Sequence, residues 1–318
     1  MHAPGFWSRD GVTALALTPF SALTAAATAR RVARPGWAPP VPVFCCGNAT
    51  MGGAGKTTLA LDLAGRLLAR GLRVHFLSRG YGGTARGIVR VDTARHPATL
   101  VGDEPLLLAQ LAPCWVGPNR AELARAALAD GAEVLVMDDG LQNPEIAHRR
   151  NILVIDGASG FGNGRLFPAG PLRERPEDAA MRCEIAVIIG KDRTRAAARL
   201  PKSLPVLEAA LAPQSAEVVS GRRVFAFAGI ARPGKFQESL DVLGAAVVGT
   251  RWFPDHHPYD PREVLRLFRA AEQLKAEPVT TPKDAVRLPA WARARVTIVG
   301  VSLAWANPAA LDVWLGAV

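Results

Sequence analysis

Three glycines stand within four positions in Thr50-Met51-Gly52-Gly53-Ala54-Gly55-Lys56-Thr57-Thr58, and the run contains Gly-Lys-Thr. Glycine lets the backbone approach a polyphosphate closely, so that successive N–H groups face its oxygens. Lys56 then adds a point charge near the β- and γ-phosphates, and the Thr57 hydroxyl is placed to ligate Mg²⁺. The spacing predicts an ATP-binding loop over residues 50–57. One position departs from the general G-x-x-x-x-G-K-[ST] pattern, because Thr50 stands where glycine is usual.

Two acid pairs complement this loop. Val134-Leu135-Val136-Met137 runs into Asp138-Asp139, an apolar segment ending in carboxylates. An acid at the end of such a strand faces the phosphate loop, so Asp138 or Asp139 is a candidate to hold Mg²⁺ directly or through water. The second pair is Asp103-Glu104, followed by Pro105. Neighbouring carboxylates suit different tasks, one orienting or deprotonating a hydroxyl while the other serves a metal. Spacing alone equally allows Asp103 to be a helix cap, with proline near the first helical position.

Two of the six histidines lie in Phe253-Pro254-Asp255-His256-His257-Pro258-Tyr259. A histidine beside a catalytic carboxylate tunes its basicity or relays a proton. An exposed proline-bounded turn is the alternative, and a metal site lacks a third ligand at close spacing. Arginines occur in Ser78-Arg79-Gly80-Tyr81-Gly82, Gly117-Pro118-Asn119-Arg120 and Gly170-Pro171-Leu172-Arg173-Glu174. Planar guanidinium groups match phosphate oxygens two at a time, so these loops suit an anionic substrate.

The elements that must carry these residues alternate. Val41–Cys46, Leu72–Leu77, Glu133–Met137, Ile152–Ile155 and Ile185–Ile189 read as strands; the run from Leu59, Glu104–Ala112 and Arg120–Ala129 read as helices. Such alternation predicts an α/β fold of P-loop NTPase type, a mostly parallel sheet with helices on both faces. Ligands then sit beyond the carboxyl ends of the strands, where the marked loops fall. A composition shift over Lys191–Ser220 suggests a junction. We therefore expect an N-terminal segment over 1–40, a P-loop core over 41–215 and a smaller α/β domain over 216–318, its C-terminal end packing back on the core. Within the last, Val224–Ala228, Val247-Val248 and Val296–Val299 read as strands, Phe236–Leu243 and Pro261–Ala276 as helices.

The 318 residues, 49% hydrophobic and 21% charged, describe a folded chain and exclude a disordered one. A net charge of +10 suits an anionic partner, whether membrane surface, nucleic acid or phosphorylated substrate. Cys45, Cys46, Cys114 and Cys183 show neither CxxC nor Cys/His spacing, which argues for reduced core thiols and against a disulfide framework or zinc site.

Asp10 is followed by 19 uncharged residues, Gly11 to Ala29, and then by Arg30, Arg31 and Arg34. Five Ser/Thr residues and Pro19 make the run weak as a spanning helix. It also lacks the basic start and strong apolar centre of a signal peptide, although Ala27-Thr28-Ala29 resembles a cleavage site. A segment lying at the membrane interface, its arginines facing anionic headgroups, accounts for the pattern. A helix packed on the domain is the alternative.

Taken in order, these motifs resemble those of the bacterial tetraacyldisaccharide 4′-kinase (lipid A 4′-kinase) family over nearly the whole chain. The resemblance rests on Gly47-Asn48 with Thr50–Thr57, Ser78–Gly82, Gly102–Pro105, Asp138-Asp139-Gly140-Leu141-Gln142, Gly170–Glu174, Phe253–His257 and Thr281-Pro282-Lys283-Asp284-Ala285. Thr at position 50 is what this family shows. Leu141 and Asn143 depart from its frequent Phe and His, and Asn143 cannot titrate.

The resemblance implies transfer of the γ-phosphoryl group of ATP, with Mg²⁺, to the 4′-hydroxyl of tetraacyldisaccharide 1-phosphate, forming lipid IVA in lipid A biosynthesis. It implies as partners the acylated glucosamine disaccharide 1-phosphate and the inner-membrane surface at its cytoplasmic face, and no nucleic acid. It implies a P-loop core, a smaller α/β domain and an N-terminal membrane-associated helix. Residue by residue, it makes Asp103 the base-side carboxylate, assisted by a histidine of the Asp-His-His loop, His256 ahead of His257, and Lys56 the catalytic lysine. Thr57, Glu104, Asp138 and Asp139 serve metal and geometry. Arg79, Tyr81, Arg120, Gln142 and Arg173 meet substrate or nucleotide. Two other readings share the loop: a soluble P-loop small-molecule kinase or ligase, and a partner-switching ATPase. The latter usually carries a lysine just before the glycines, where Thr50 and Met51 stand here.

Overall fold

Apolar runs bounded by glycine and acidic turns become strands buried on both faces, and that burial sets the architecture. A computed structural model describes residues 4–148 and 150–316, so the ends of the expected outer segments, 1–3 and 317–318, lie outside it. Among the described residues, thirteen strands form two sheets. The first sheet takes β1 (Val43–Gly47), β2 (Val74–Ser78), β3 (Val89–Arg90), β4 (Cys114–Val116), β5 (Val134–Asp138), β6 (Arg150–Asp156), β7 (Ile185–Ile189) and β8 (Val206–Pro213). The second takes β9 (Arg223–Ala228), β10 (Ala246–Trp252), β11 (Glu277–Thr280) and β12 (Thr297–Ile298), and β13 (Val301–Trp305) returns to the first.

The first sheet runs β13-β8-β7-β6-β1-β5-β2-β4-β3, antiparallel only at its two edges. Alternate residues of β1 serve opposite faces: Phe44 and Cys46 pack against Leu59 and Leu63 of the helix Lys56–Ala69, while Val43 and Cys45 pack with Leu123 and Ala127 of the helix Arg120–Ala129. The adjacent cysteines thus belong to different cores, and burial pushes both thiols up. The P-loop joins β1 to the helix beginning at Lys56, and β5 lies beside β1 with Cys46 opposite Asp138.

The second lobe is a parallel sheet in the order β10-β9-β11-β12. Phe236 and Leu240 of the helix Pro233–Val242 cover one face, and Val264, Leu267 and Phe268 of the helix Pro261–Gln273 the other. After β12 the chain goes back to the first lobe. There β13 pairs antiparallel with β8, Leu303 opposite Leu211, and the helix Pro308–Leu315 buries Leu311 and Leu315 in the core that contains Phe44. β8 falls within the stretch that composition marks as a junction. The helix expected over Glu104–Ala112 instead spans Asp103–Leu108 and relaxes into a turn ahead of Pro113, where proline disfavours helical backbone.

The run after Asp10 forms one helix, Val12–Val32, long and apolar enough to cross a membrane, with a mean hydropathy of 1.4. Its polarity is inverted relative to a surface helix. Ser21 and Thr24 donate to the carbonyls of Leu166 and Phe167, and Ala14 is buried, while Val12, Leu15, Phe20 and Leu23 are exposed. Helical periodicity puts these two sets on opposite sides.

Candidate active site

The site lies at the carboxyl ends of β1 and β5, facing the second lobe. Gly55 opens the phosphate-loop helix at φ +90°, and a Cβ there would strike Ile189, so the turn requires glycine. Lys56 is buried; its Nζ lies 3.1 Å from Asn48 Oδ1, 3.3 Å from the Gly52 carbonyl and 3.7 Å from Asp139 Oδ1. The segment Pro171–Arg173 runs beside residues 49–51, with the Met51 N–H donating to Pro171 O and the Arg173 N–H to Ala49 O, both at 2.7 Å. That pairing brings Arg173 to Asp139. Gln142 fastens the same layer from below, donating to Asn48 O at 2.9 Å and to Glu174 Oε1 at 2.7 Å.

Thr57 donates to Asp138 Oδ2 at 2.9 Å, whereas Asp138 Oδ1 is buried without any hydrogen-bond partner. A buried carboxylate oxygen with no donor is unusual and fits a cation or its water. Burial pushes the Asp138 carboxyl up, with Glu104 nearby adding to the rise and Lys56 opposing it. No cluster of three or more His, Cys, Asp or Glu residues suited to a metal occurs among the described residues. The donor set fits Mg²⁺, which takes one or two carboxylates and completes its shell with phosphate and water. Of the rest of the expected acidic group, Glu104 pairs with Lys283 at 2.8 Å and Asp139 with Arg173.

Gly102 precedes Asp103 at φ +89°, where a Cβ would meet the Tyr81 carbonyl at 2.7 Å. This close approach stacks the Ser78–Gly83 loop on the start of the helix that carries Asp103. Asp103 is buried, and its Oδ2 lies 2.9 Å from Nδ1 of His256, which the second lobe supplies. Burial would raise the Asp103 carboxyl, but the His256 hydrogen bond, together with the charges of His256, Lys283 and Arg287, outweighs it and holds the group below the usual range. The same bond raises His256 above the ordinary histidine value, against the opposing effect of burial. An ionised carboxylate tied to an imidazole, near a lysine in a phosphate loop, is equipped to orient an alcohol for phosphoryl transfer.

The remaining candidates divide. Tyr81 is exposed, with its ring 6.0 Å from that of His256, and Arg79 is exposed in the same loop. Arg120 is buried; Nη1 donates to Gly117 O at 2.9 Å and Nε has no partner. Several side chains at the site escaped sequence reasoning. Asn48 holds Lys56 and was legible only as part of Gly47-Asn48. Lys283 and Arg287 reach Glu104 and Asp103 from the second lobe. Arg232, also from that lobe, donates to Gly53 O at 3.2 Å and to Asp156, which also faces Lys235 at 3.6 Å. No local spacing signals any of these pairings across the lobes.

A model of the tetraacyldisaccharide-1-P 4′-kinase family matches residues 13–318. The chain is 56% identical over 322 residues to a tetraacyldisaccharide 4′-kinase of Gluconacetobacter diazotrophicus, covering 99% of this chain and 98% of that one. It is 51% identical to that of Rhodospirillum centenum, covering 98% and 95%. A crystal structure of LpxK from Aquifex aeolicus in complex with ATP superposes with a TM-score of 0.77 at 26% identity, covering 95% of this chain and 98% of that one.

Proposed function

Because the chain belongs to the tetraacyldisaccharide-1-P 4′-kinase family, we propose how its own residues carry the reaction and where it takes place. The protein is an ATP-dependent phosphotransferase that adds the γ-phosphoryl group to the 4′-hydroxyl of tetraacyldisaccharide 1-phosphate, a step of lipid A biosynthesis. Phosphoryl transfer needs positioning and charge neutralisation more than covalent chemistry. The backbone of residues 50–55 receives the phosphates, and Lys56 and Arg173 neutralise them from either side of Asp139. Thr57 and Asp138 would hold Mg²⁺, whose charge would offset that of the phosphate oxygens. Asp103, ionised and steadied by His256, accepts the hydrogen of the 4′-hydroxyl and aligns its oxygen with the γ-phosphate. Arg79 and Tyr81 meet the sugar at the mouth of the cleft. Arg120 contributes its charge to the substrate phosphate from a buried position, and Gln142 acts by bracing Asn48.

The membrane surface is the second part of the proposal. The outward apolar side chains of the helix Val12–Val32 enter the cytoplasmic leaflet of the inner membrane, while Arg30, Arg31 and Arg34 meet anionic headgroups. The acceptor's acyl chains then stay in lipid while its sugar reaches Asp103.

The observation that carries this reading is the 2.9 Å contact of Asp103 with His256 beside the Lys56 loop. A soluble P-loop enzyme would need no outward apolar helix, and a partner-switching ATPase would need no carboxylate–imidazole pair. The test is incubation of the protein with γ-labelled Mg·ATP and acylated disaccharide 1-phosphate in detergent. Label should pass to the lipid, and Asp103→Ala should lower kcat about a hundredfold or more while ATP still binds. Near-normal turnover by Asp103→Ala removes that residue from its role, and label released only as free phosphate overturns the reading.

A further inference from the structure

Arg287 stands in none of the phosphate-directed motifs, yet its side chain is only 5% exposed and every guanidinium nitrogen is engaged. Nε donates to Lys283 O at 2.9 Å, Nη1 to His257 O at 3.2 Å, and Nη2 to Gly229 O at 2.9 Å and Asp284 Oδ1 at 2.8 Å. Two of these acceptors bracket one residue. Gly229 O also receives the His256 N–H at 3.1 Å, and His257 O is the next carbonyl but one beyond that amide.

The bracketed residue needs support. His256 has φ +59°, in the left-handed region that non-glycine residues occupy only when their surroundings enforce it. In that conformation its Nδ1 meets Asp103 Oδ2. Asp284, fully buried, anchors the fork: it also accepts from the Gly229 N–H and the Tyr259 hydroxyl, both at 2.7 Å, and from Thr281. A planar guanidinium holds two carbonyls at a set separation, which a single ammonium group cannot do.

We infer that Arg287 is a positioning residue for the transfer: it locks the backbone of His256 in the turn that aims the imidazole at Asp103, without itself touching substrate. The inference rests on the reading of Asp103 and His256 as the acceptor-side pair. Arg287 Nε also stands 3.9 Å from Asp103 Oδ2, a charge that Arg287→Lys retains; if the inference holds, loss of the fork acts through His256 and spares the nucleotide site.

A double-mutant cycle in the full-length chain decides it, with acylated disaccharide 1-phosphate in detergent as acceptor. Arg287→Met should lower kcat about ten- to a hundredfold while KM for ATP stays within about twofold. Arg287→Lys, keeping the charge but not the fork, should fall between it and the wild type. Combining Arg287→Met with His256→Gln should cost no more than the worse single change, since both remove the same alignment. Additive losses, an unchanged kcat in Arg287→Met, or a rise confined to KM for ATP would overturn the inference. Should Arg287→Met fail to fold, the same cycle run with Arg287→Lys takes its place: non-additive losses support the inference and additive ones overturn it. A full-speed His256→Gln enzyme would instead sink the underlying pair, and this inference with it.

Discussion

Arg173 meets Asp139 as a planar fork, Nη1 2.7 Å from Oδ1 and Nη2 3.0 Å from Oδ2, and the same carboxylate stands 3.7 Å from Lys56. One acid thus spaces two cations at the phosphate loop. Burial would raise the Asp139 carboxyl, but Lys56 and Arg173 outweigh it and keep the group ionised. The spacing depends on the fork, because a lysine would make one contact and leave the other oxygen free. Arg173→Lys should therefore lower kcat/KM for ATP by about tenfold or more, on a scale of about 1.5–3 kcal/mol for a charged hydrogen bond. Steady-state kinetics at saturating acceptor check this, and an unaltered value would show that charge alone suffices.

The pair across the lobes makes a prediction about pH. His256 is raised by Asp103, with Asp255 adding to the effect and Lys283 opposing it. A raised folded value means that the protonated imidazole is favoured by folding. Its contribution is fully present below the unfolded histidine value near 6.5 and is lost as pH rises through the higher folded value. The melting temperature of His256→Gln should thus fall short of the wild type at pH 6, and the gap should close above the raised value. The gap will be small, because His256 is 37% exposed and solvent screens the pair. A difference that widens with pH would contradict the sign.

Much of this was legible in the residues, for a physical reason. A phosphate loop is local: its glycines, Lys56 and Thr57 must lie within one turn of chain, so spacing alone reveals them. The strand ending in Asp138-Asp139 is readable in the same way, and the parallel sheet follows from runs such as Ile185–Ile189 that are buried on both faces. Partnerships between lobes leave no such trace. His256 lies 153 residues from Asp103, and whether Asp103 caps a helix or serves the chemistry was undecidable without that neighbour. Asp284 accepts from the Gly229 N–H and Arg287 donates to the Gly229 and His257 carbonyls, and backbone groups carry no side-chain signature. β8 escaped notice because Leu-Glu-Ala-Ala-Leu-Ala reads as helix-tolerant; its pairing with β7 and β13 overrides that preference.

The inverted N-terminal helix makes the last prediction. Its hydroxyl side is committed to the carbonyls of Leu166 and Phe167, so the apolar side cannot turn inward without breaking those bonds. Phe20 and Leu23 are 57% and 70% exposed there, and Arg30 and Arg31 close the last turn. Entry into a leaflet is worth about 1.5–3 kcal/mol for each large apolar side chain that leaves water. Replacing both by aspartate removes that gain and adds repulsion from anionic lipid, while leaving Ser21 and Thr24 in place. Phe20→Asp/Leu23→Asp should consequently lose binding to phosphatidylglycerol vesicles by at least about a hundredfold, the energies converted at 1.4 kcal/mol per decade. ATP affinity should stay the same, because the helix's bonds to the 166–167 segment persist. Vesicle sedimentation alongside nucleotide titration separates the two effects. Undiminished sedimentation would place the lipid contact elsewhere on the molecule.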